Sequence, residues 1–154
     1  MSKTISYKGR IPIGQQQKIN LKTINGKTAY QITKFQAIAG RPGVDAGELV
    51  VKVYRKSQLN NVDPEVNFDD NNLLAVSFYK SHSNNVYAVS DTIIFDNAMF
   101  NQDIFVTMDD AEGGTDPGNY YIELEAVSIN DIAATQLTLK SLRTIASQWV
   151  NNIF

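Results

Sequence analysis

The chain has 154 residues, 43% of them apolar, and a formal net charge of −2. That length suits one domain, large enough to bury roughly 68–70% of its unfolded surface, and the apolar fraction argues against disorder. The near-neutral balance offers no basic patch for nucleic acid, and the lack of cysteine excludes disulfides, thiol catalysis and zinc–thiolate sites.

The opening residues, MSKTISYKGR, have no apolar run behind the early lysine, so no secretory signal is expected and synthesis in a cytosol is. Residues 4–8 (TISYK) alternate as a short strand. Gly9, Pro12 and Gly14 break up the next stretch, so residues 1–14 are predicted as an extended arm that pairs at a sheet edge or reaches a neighbour. In residues 19–32, Asn25-Gly26 sits between two alternating runs, a strong hairpin signal. With those two residues as the turn, Thr23 faces Thr28, Leu21 faces Tyr30 and Ile19 faces Ile32. One register thus gives one apolar face and one polar face.

Arg41-Pro42-Gly43 and Asp45-Ala46-Gly47 form the next loop. Residues 48–55 (ELVVKVYR) come next as a strand with Leu49, Val51 and Val53 inward. Residues 58–72 (QLNNVDPEVNFDDNN) read as a loop long enough to be functional or to form an interaction surface, with Phe68 pinning it to the body. Leu74, Val76 and Phe78 mark another strand. Ser81 to Asn85 then turn into the alternating, β-branched residues 86–95, and residues 97–102 connect onward.

Residues 103–127 read as two paired strands around an acidic, Gly-rich tip. Ile104, Val106 and Met108 share the inner face of the first run; Tyr120, Ile122, Leu124 and Ala126 share that of the second. Residues 135–145 support two readings. Thr135, Thr138 and Thr144, with alternating Leu137 and Leu139, favour a strand. Asn130-Asp131 as a cap, with Ala134, Leu137, Ser141, Ile145 and Trp149 at helical spacing, favours a helix. The strand is preferred, with a short amphipathic tail after it. Eight or nine strands and no long helix describe an all-β protein, an antiparallel β-sandwich for which a jelly roll is one topology. The predicted division is arm 1–14, sandwich 15–146 and tail 147–154.

No catalytic constellation is visible. The single histidine, His82, lies in a Ser/Asn turn without a nucleophile-elbow serine. Glu123 and Glu125 share one strand face like a glycosidase pair, but such residues usually face solvent. Asp109, Asp110, Glu112 and Asp116 could offer oxygens to calcium. EF-hand spacing fails there, because Tyr120 and Tyr121 stand where the closing glutamate belongs; a solvated turn is expected. Asp63, Asp69 and Asp70 form a weaker acidic cluster. No metal and no cofactor is expected. Tyr79, Tyr87, Tyr121 and Trp149 are candidate platforms for sugar, whereas Phe78 and Tyr120 read as core. Trp149, with Ile153 and Phe154, reads better as an anchor onto its own domain or a neighbour.

The segment NQDIFVTMDDAEGGTDPGNYYIELEAVSI, with ATQLTLKSLRTI after it, resembles small β-sandwich virion structural proteins of tailed marine bacteriophages. The resemblance covers residues 86–145 and carries no catalytic residues. It implies a non-enzymatic capsid decoration or cement protein that binds the major capsid protein or other virion subunits. Such a protein would act as a homo-oligomer, be located in the virion, and have neither nucleic-acid nor membrane partners. The expected contacts are Thr4, Ile5, Tyr7, Ile11 and Ile13 from the arm and Trp149, Val150, Ile153 and Phe154 from the tail. A tail or receptor-binding fibre component, or a free carbohydrate-binding module, is the alternative.

Overall fold

The alternating runs fold as strands, and their apolar sides meet in a common interior. A computed structural model describes residues 2–42, 47–81, 89–95 and 99–153, the side chains of residues 81 and 144–153 excepted. Among the described residues there are nine strands: β1 (Ser2–Ile11), β2 (Gln15–Ile19), β3 (Thr28–Ala39), β4 (Gly47–Tyr54), β5 (Leu73–Ser81), β6 (Val89–Ile94), β7 (Met99–Phe100), β8 (Ile104–Asp110) and β9 (Gly118–Ser128). One helix comes after them, α1 (Asp131–Ile153).

The strands form two antiparallel sheets, ordered β1-β9-β3-β7 and β2-β8-β4-β5-β6. With β6 set aside as an added edge strand, this is the order of a jelly roll. The chain crosses repeatedly between the sheets, and early strands pair with late ones. The protein is therefore an all-β sandwich, as the alternation implied. Ile32, Phe35, Val51, Val53, Ile104, Val106, Met108, Tyr120, Ile122 and Leu124 all lie in its buried core. A β-bulge between Ile32 and Lys34 adds one residue to β3. The inward set consequently passes from Tyr30 and Ile32 to Phe35, Ala37 and Ala39.

Three sequence expectations are corrected. The first is the hairpin at residues 19–32. Ile19 pairs with Ile104 in the second sheet, whereas Ile32 pairs with Leu124 in the first. The Asn-Gly pair closes a different turn, in which Gly26 N donates to Thr23 O at 3.3 Å and Lys27 N donates to Asn25 Oδ1 at 3.0 Å. Asn25 and Gly26 are therefore the third and fourth residues of the turn, and the chain changes sheet there. The apolar residues that matched as cross-strand neighbours instead face one another across the interior, where the Tyr30 hydroxyl donates to Leu21 O at 3.2 Å.

The second correction concerns residues 103–127, which are not a paired hairpin. β8 lies between β2 and β4, and β9 lies between β1 and β3. The acidic segment between them is a corner from one sheet to the other. The inner faces nonetheless agree with the alternation, because period 2 reports which side is buried and not which strand is adjacent.

Third, residues 135–145 belong to the 23-residue helix α1. Asn130 caps it, accepting from Ala133 N at 2.8 Å. The Thr135 hydroxyl donates to Asp131 O at 3.0 Å, so a β-branched residue that favours strands is satisfied within the helix. Residues 147–153 of the predicted tail continue α1, and residues 2–11 of the predicted arm form β1, the edge strand of the first sheet.

Candidate functional site

Two surfaces stand out. The first covers the outer face of the second sheet. An outward strand face normally meets water, yet Val50, Lys52 and Tyr54 on β4 are buried along with their inward neighbours. The connection from β4 to β5 folds back over them. Lys52, only 3% exposed, donates from Nζ to Asp63 Oδ1 at 3.2 Å and to Glu65 O. Its ammonium lies 5.4 Å from the Tyr54 ring centroid.

This connection is ordered by its own side chains. Asp69 N donates to Asn67 Oδ1 at 3.0 Å and Asn72 N donates to Asp70 Oδ1 at 2.9 Å, both Asx turns. Gln58 N donates to Gln16 Oε1 at 2.7 Å, fastening the segment to β2. Phe68 meets Phe95 edge to face at 5.3 Å while remaining more than half exposed. Between the connection and the sheet lies a polar cavity of about 550 Å³, bordered by Tyr54, Gln58, Asn61, Asp63, Asp70 and Asn72 among others. Asn72 is 1% exposed, and neither its Nδ2 nor its Oδ1 has a hydrogen-bond partner among the described residues. Burial raises the Tyr54 hydroxyl pKa, with Lys52 opposing, so Tyr54 remains a neutral phenol at pH 7.

The second surface is the groove between α1 and the turn before β3. Asn101, fully buried, joins these elements. Its Nδ2 donates to Gly26 O at 3.1 Å, Ala134 O at 3.3 Å and Thr138 Oγ1 at 2.7 Å. Gly26 has φ +65°, and a Cβ there would lie 2.9 Å from Asn101 Nδ2. The glycine therefore serves close approach of Asn101 as well as the turn. An ion pair between Lys27 and Asp131 at 2.7 Å flanks the joint. The resulting groove, about 360 Å³, is bordered by Ile24, Ala134, Leu139 and Leu142. Ile24 is fully exposed and Leu142 is 57% exposed, so an apolar ridge faces solvent on either side.

Of the residues expected to contact partners, Thr4 is exposed on β1, whereas Ile5, Tyr7 and Ile13 pack partly against the core. Ile11 is buried within it. Trp149, Val150 and Ile153 belong to α1, but their side chains lie outside the described residues, as do all of Phe154, His82 and Tyr87. Tyr79 is on β5 and Tyr121 on β9, in different sheets, so these two sugar-platform candidates do not come together. Tyr121 donates to Glu123 Oε1 at 2.8 Å; this bond, with some burial, raises the phenol pKa. Lys34 Nζ lies 5.7 Å from the Tyr121 ring centroid.

In the acidic corner, Asp110 is buried and accepts from Glu48 N at 3.2 Å and Glu112 N at 2.8 Å. Glu112 pairs with Lys80 at 3.1 Å. Among the described residues no group of three or more acidic or histidine side chains could hold a metal ion, and no helix is long and apolar enough to cross a membrane. Sequence reasoning missed both buried asparagines. The unusual length of residues 58–72 pointed to the neighbourhood of Asn72, but nothing in the sequence marked Asn101. Compared with models of known protein families and with curated protein sequences, the chain matches none.

Proposed function

We propose that this chain is a non-enzymatic structural subunit of a bacteriophage virion, a decoration or cement protein that binds the major capsid protein and stabilises the shell. The observation that carries the reading is the apolar groove beside α1. Ile24, Leu139 and Leu142 are held outward by a buried polar joint at Asn101 rather than folded into the core. Full burial of one such side chain contributes about 1.5–3 kcal/mol, and a pre-ordered surface loses little entropy on docking. Binding to the assembled shell stabilises it by mass action. The sequence resemblance over residues 86–145 and the jelly-roll topology, which virion proteins share with lectins and cupins, supply the class of partner by analogy.

The test is co-sedimentation with shells assembled from the major capsid protein. The native chain is expected in the shell pellet. Ile24→Ser combined with Leu142→Ser should move it to the supernatant with an unchanged circular dichroism spectrum. A native chain that ignores shells overturns the reading. Labelling of tails instead of shells in intact particles assigns it to the tail or fibre.

A further inference from the structure

We propose that the open edge of β6 pairs antiparallel with the β6 edge of a second copy of this chain, joining the second sheets of the two copies across a twofold axis at Thr92. This stands apart from shell binding, because β6 shares no residue with the groove beside α1.

β6 is the strand added to the jelly-roll order, and it ends the second sheet. Its ladder with β5 runs on to Phe95, whose N donates to Leu74 O at 3.1 Å. Backbone groups in an antiparallel ladder alternate in direction, so Ser90, Thr92 and Ile94 turn theirs away from β5. Thr92 N shows this directly, since it donates to its neighbour Asp91 Oδ1 at 2.8 Å. That bond aside, the outward N–H and C=O groups of these three residues have no partner among the described residues.

The other sheet edges are guarded. β1 carries Lys3, Lys8 and Arg10. β2 carries Lys18 and is fastened to the β4–β5 connection through Gln16, and β7 has only two residues. β6 reads VSDTII, with no basic residue and no proline, and Val89 and Ile93 are exposed on its outer side. An apolar edge left in this state is a template for another strand.

Register identifies the occupant. Opposed residues must share a face, and a twofold-related copy presents the same strand reversed. An axis at Thr92 sets Thr92 against its own copy, Ser90 against Ile94, Asp91 against Ile93 and Val89 against Phe95. Only this register matches the three outward residues with one another, so each of their pairs exchanges both N–H···O bonds. An axis at Asp91 would oppose two carboxylates, whereas opposed threonines are favourable neighbours. On the outer side the second copy's Val89 then lies against Phe95 and beside Phe68, which meets Phe95 edge to face and is 57% exposed. An apolar hollow of about 200 Å³ between Val66, Phe68, Phe78 and Ile93 continues that contact.

The experiment is sedimentation equilibrium of the full chain, from micromolar concentrations to about 1 mM. The mass should rise from that of the 17.1 kDa chain to twice that value. Thr92→Pro deletes an outward N–H and leaves the β5 ladder bonds in place; it should weaken the dimer at least about tenfold. Val89→Asp sets a carboxylate against Phe95 of the second copy. It should weaken the dimer with an unchanged circular dichroism spectrum, which decides the matter if Thr92→Pro fails to fold. Asp91→Ala removes the side chain that competes for Thr92 N and should tighten the dimer. A chain that stays monomeric to about 1 mM overturns the proposal. So does a dimer that Val89→Asp leaves intact, or one that Asp91→Ala weakens.

Discussion

Replacing Gly118 with alanine sets a methyl group where β9 begins and the two sheets approach. A Cβ built there lies 2.5 Å from Met108 Sδ and 2.7 Å from Leu49 Cδ1. Met108 is fully buried and Leu49 nearly so, so neither side chain can swing into solvent. Gly118 does not have a positive φ, and the substitution therefore tests contact without backbone strain. Overpacking of this kind costs about 1–3 kcal/mol, and each kcal/mol lowers the melting temperature of a domain of this size by roughly 2–4 °C. Leu49→Val removes one of the two obstructing groups and alone costs about 0.5–1.5 kcal/mol, as deletions of a buried methylene do. In urea titrations followed by circular dichroism, the double variant should be more stable than the summed single effects by at least about 0.5 kcal/mol. Strict additivity, or a Gly118→Ala variant as stable as the native chain, would refute the packing of β9 across from β4 and β8.

Other perturbations probe the joints around the two candidate surfaces. Asp63→Ala leaves the Lys52 ammonium buried with a carbonyl but no carboxylate; because Asp63 itself is half exposed, the cost should be about 2 kcal/mol, below the 3–5 of a fully buried pair. Lys52→Met, which removes the buried charge, should cost less in the same denaturation assay, and the reverse order would sink this account. Asn101→Ala should release α1 from the sandwich, seen as faster amide exchange across residues 131–143 with β4 and β8 still protected; unchanged exchange in α1 would show that Asn101 is not the tether. Partial burial would raise the Asp103 pKa, but the amides of Lys22 and Leu21 and the Lys18 ammonium outweigh it and hold the carboxyl below its ordinary value. Its contribution is therefore complete above the unfolded carboxylate pKa of about 4 and fades as pH falls through the lower folded value. Asp103→Asn should flatten the stability profile in that acid window, whereas an identical acid limb would contradict the assignment.

The strand faces were legible because alternation reflects burial directly. Ile104, Val106 and Met108 and their counterparts Tyr120, Ile122 and Leu124 read as inward, and all six are buried. Pairing was not legible, because residues facing across a sandwich and residues paired in a hairpin leave the same period-2 trace. Asn25-Gly26 misled for a related reason: a two-residue hairpin turn and a turn that changes sheets use the same chemistry, and Gly26 also makes room for Asn101. Helix α1 was masked by its threonines. Its cap and the Ala134 and Ser141 spacing carried the correct signal, but the strand propensity of the threonines pointed the other way, and propensity is the weaker guide of the two. The candidate sites were least legible of all. What distinguishes Asn72 from the other asparagines of residues 58–72 is burial without a partner, a property of the folded neighbourhood alone.

The jelly-roll order also sets a timetable for synthesis. β1 is made well before its partner β9, and more than a hundred residues separate Ser2 from Val127. At about 5–20 residues per second, the newborn β1 waits roughly 6–25 s before its partner exists. During that interval its long edge has no native neighbour, and its alternate positions carry Lys8 and Arg10 beside Ile5, Tyr7 and Ile11. Outward charges on such a strand discourage pairing with another chain. Lys8 and Arg10, which face solvent in the finished sandwich, are thus placed where charge disfavours edge pairing while β9 is still unmade.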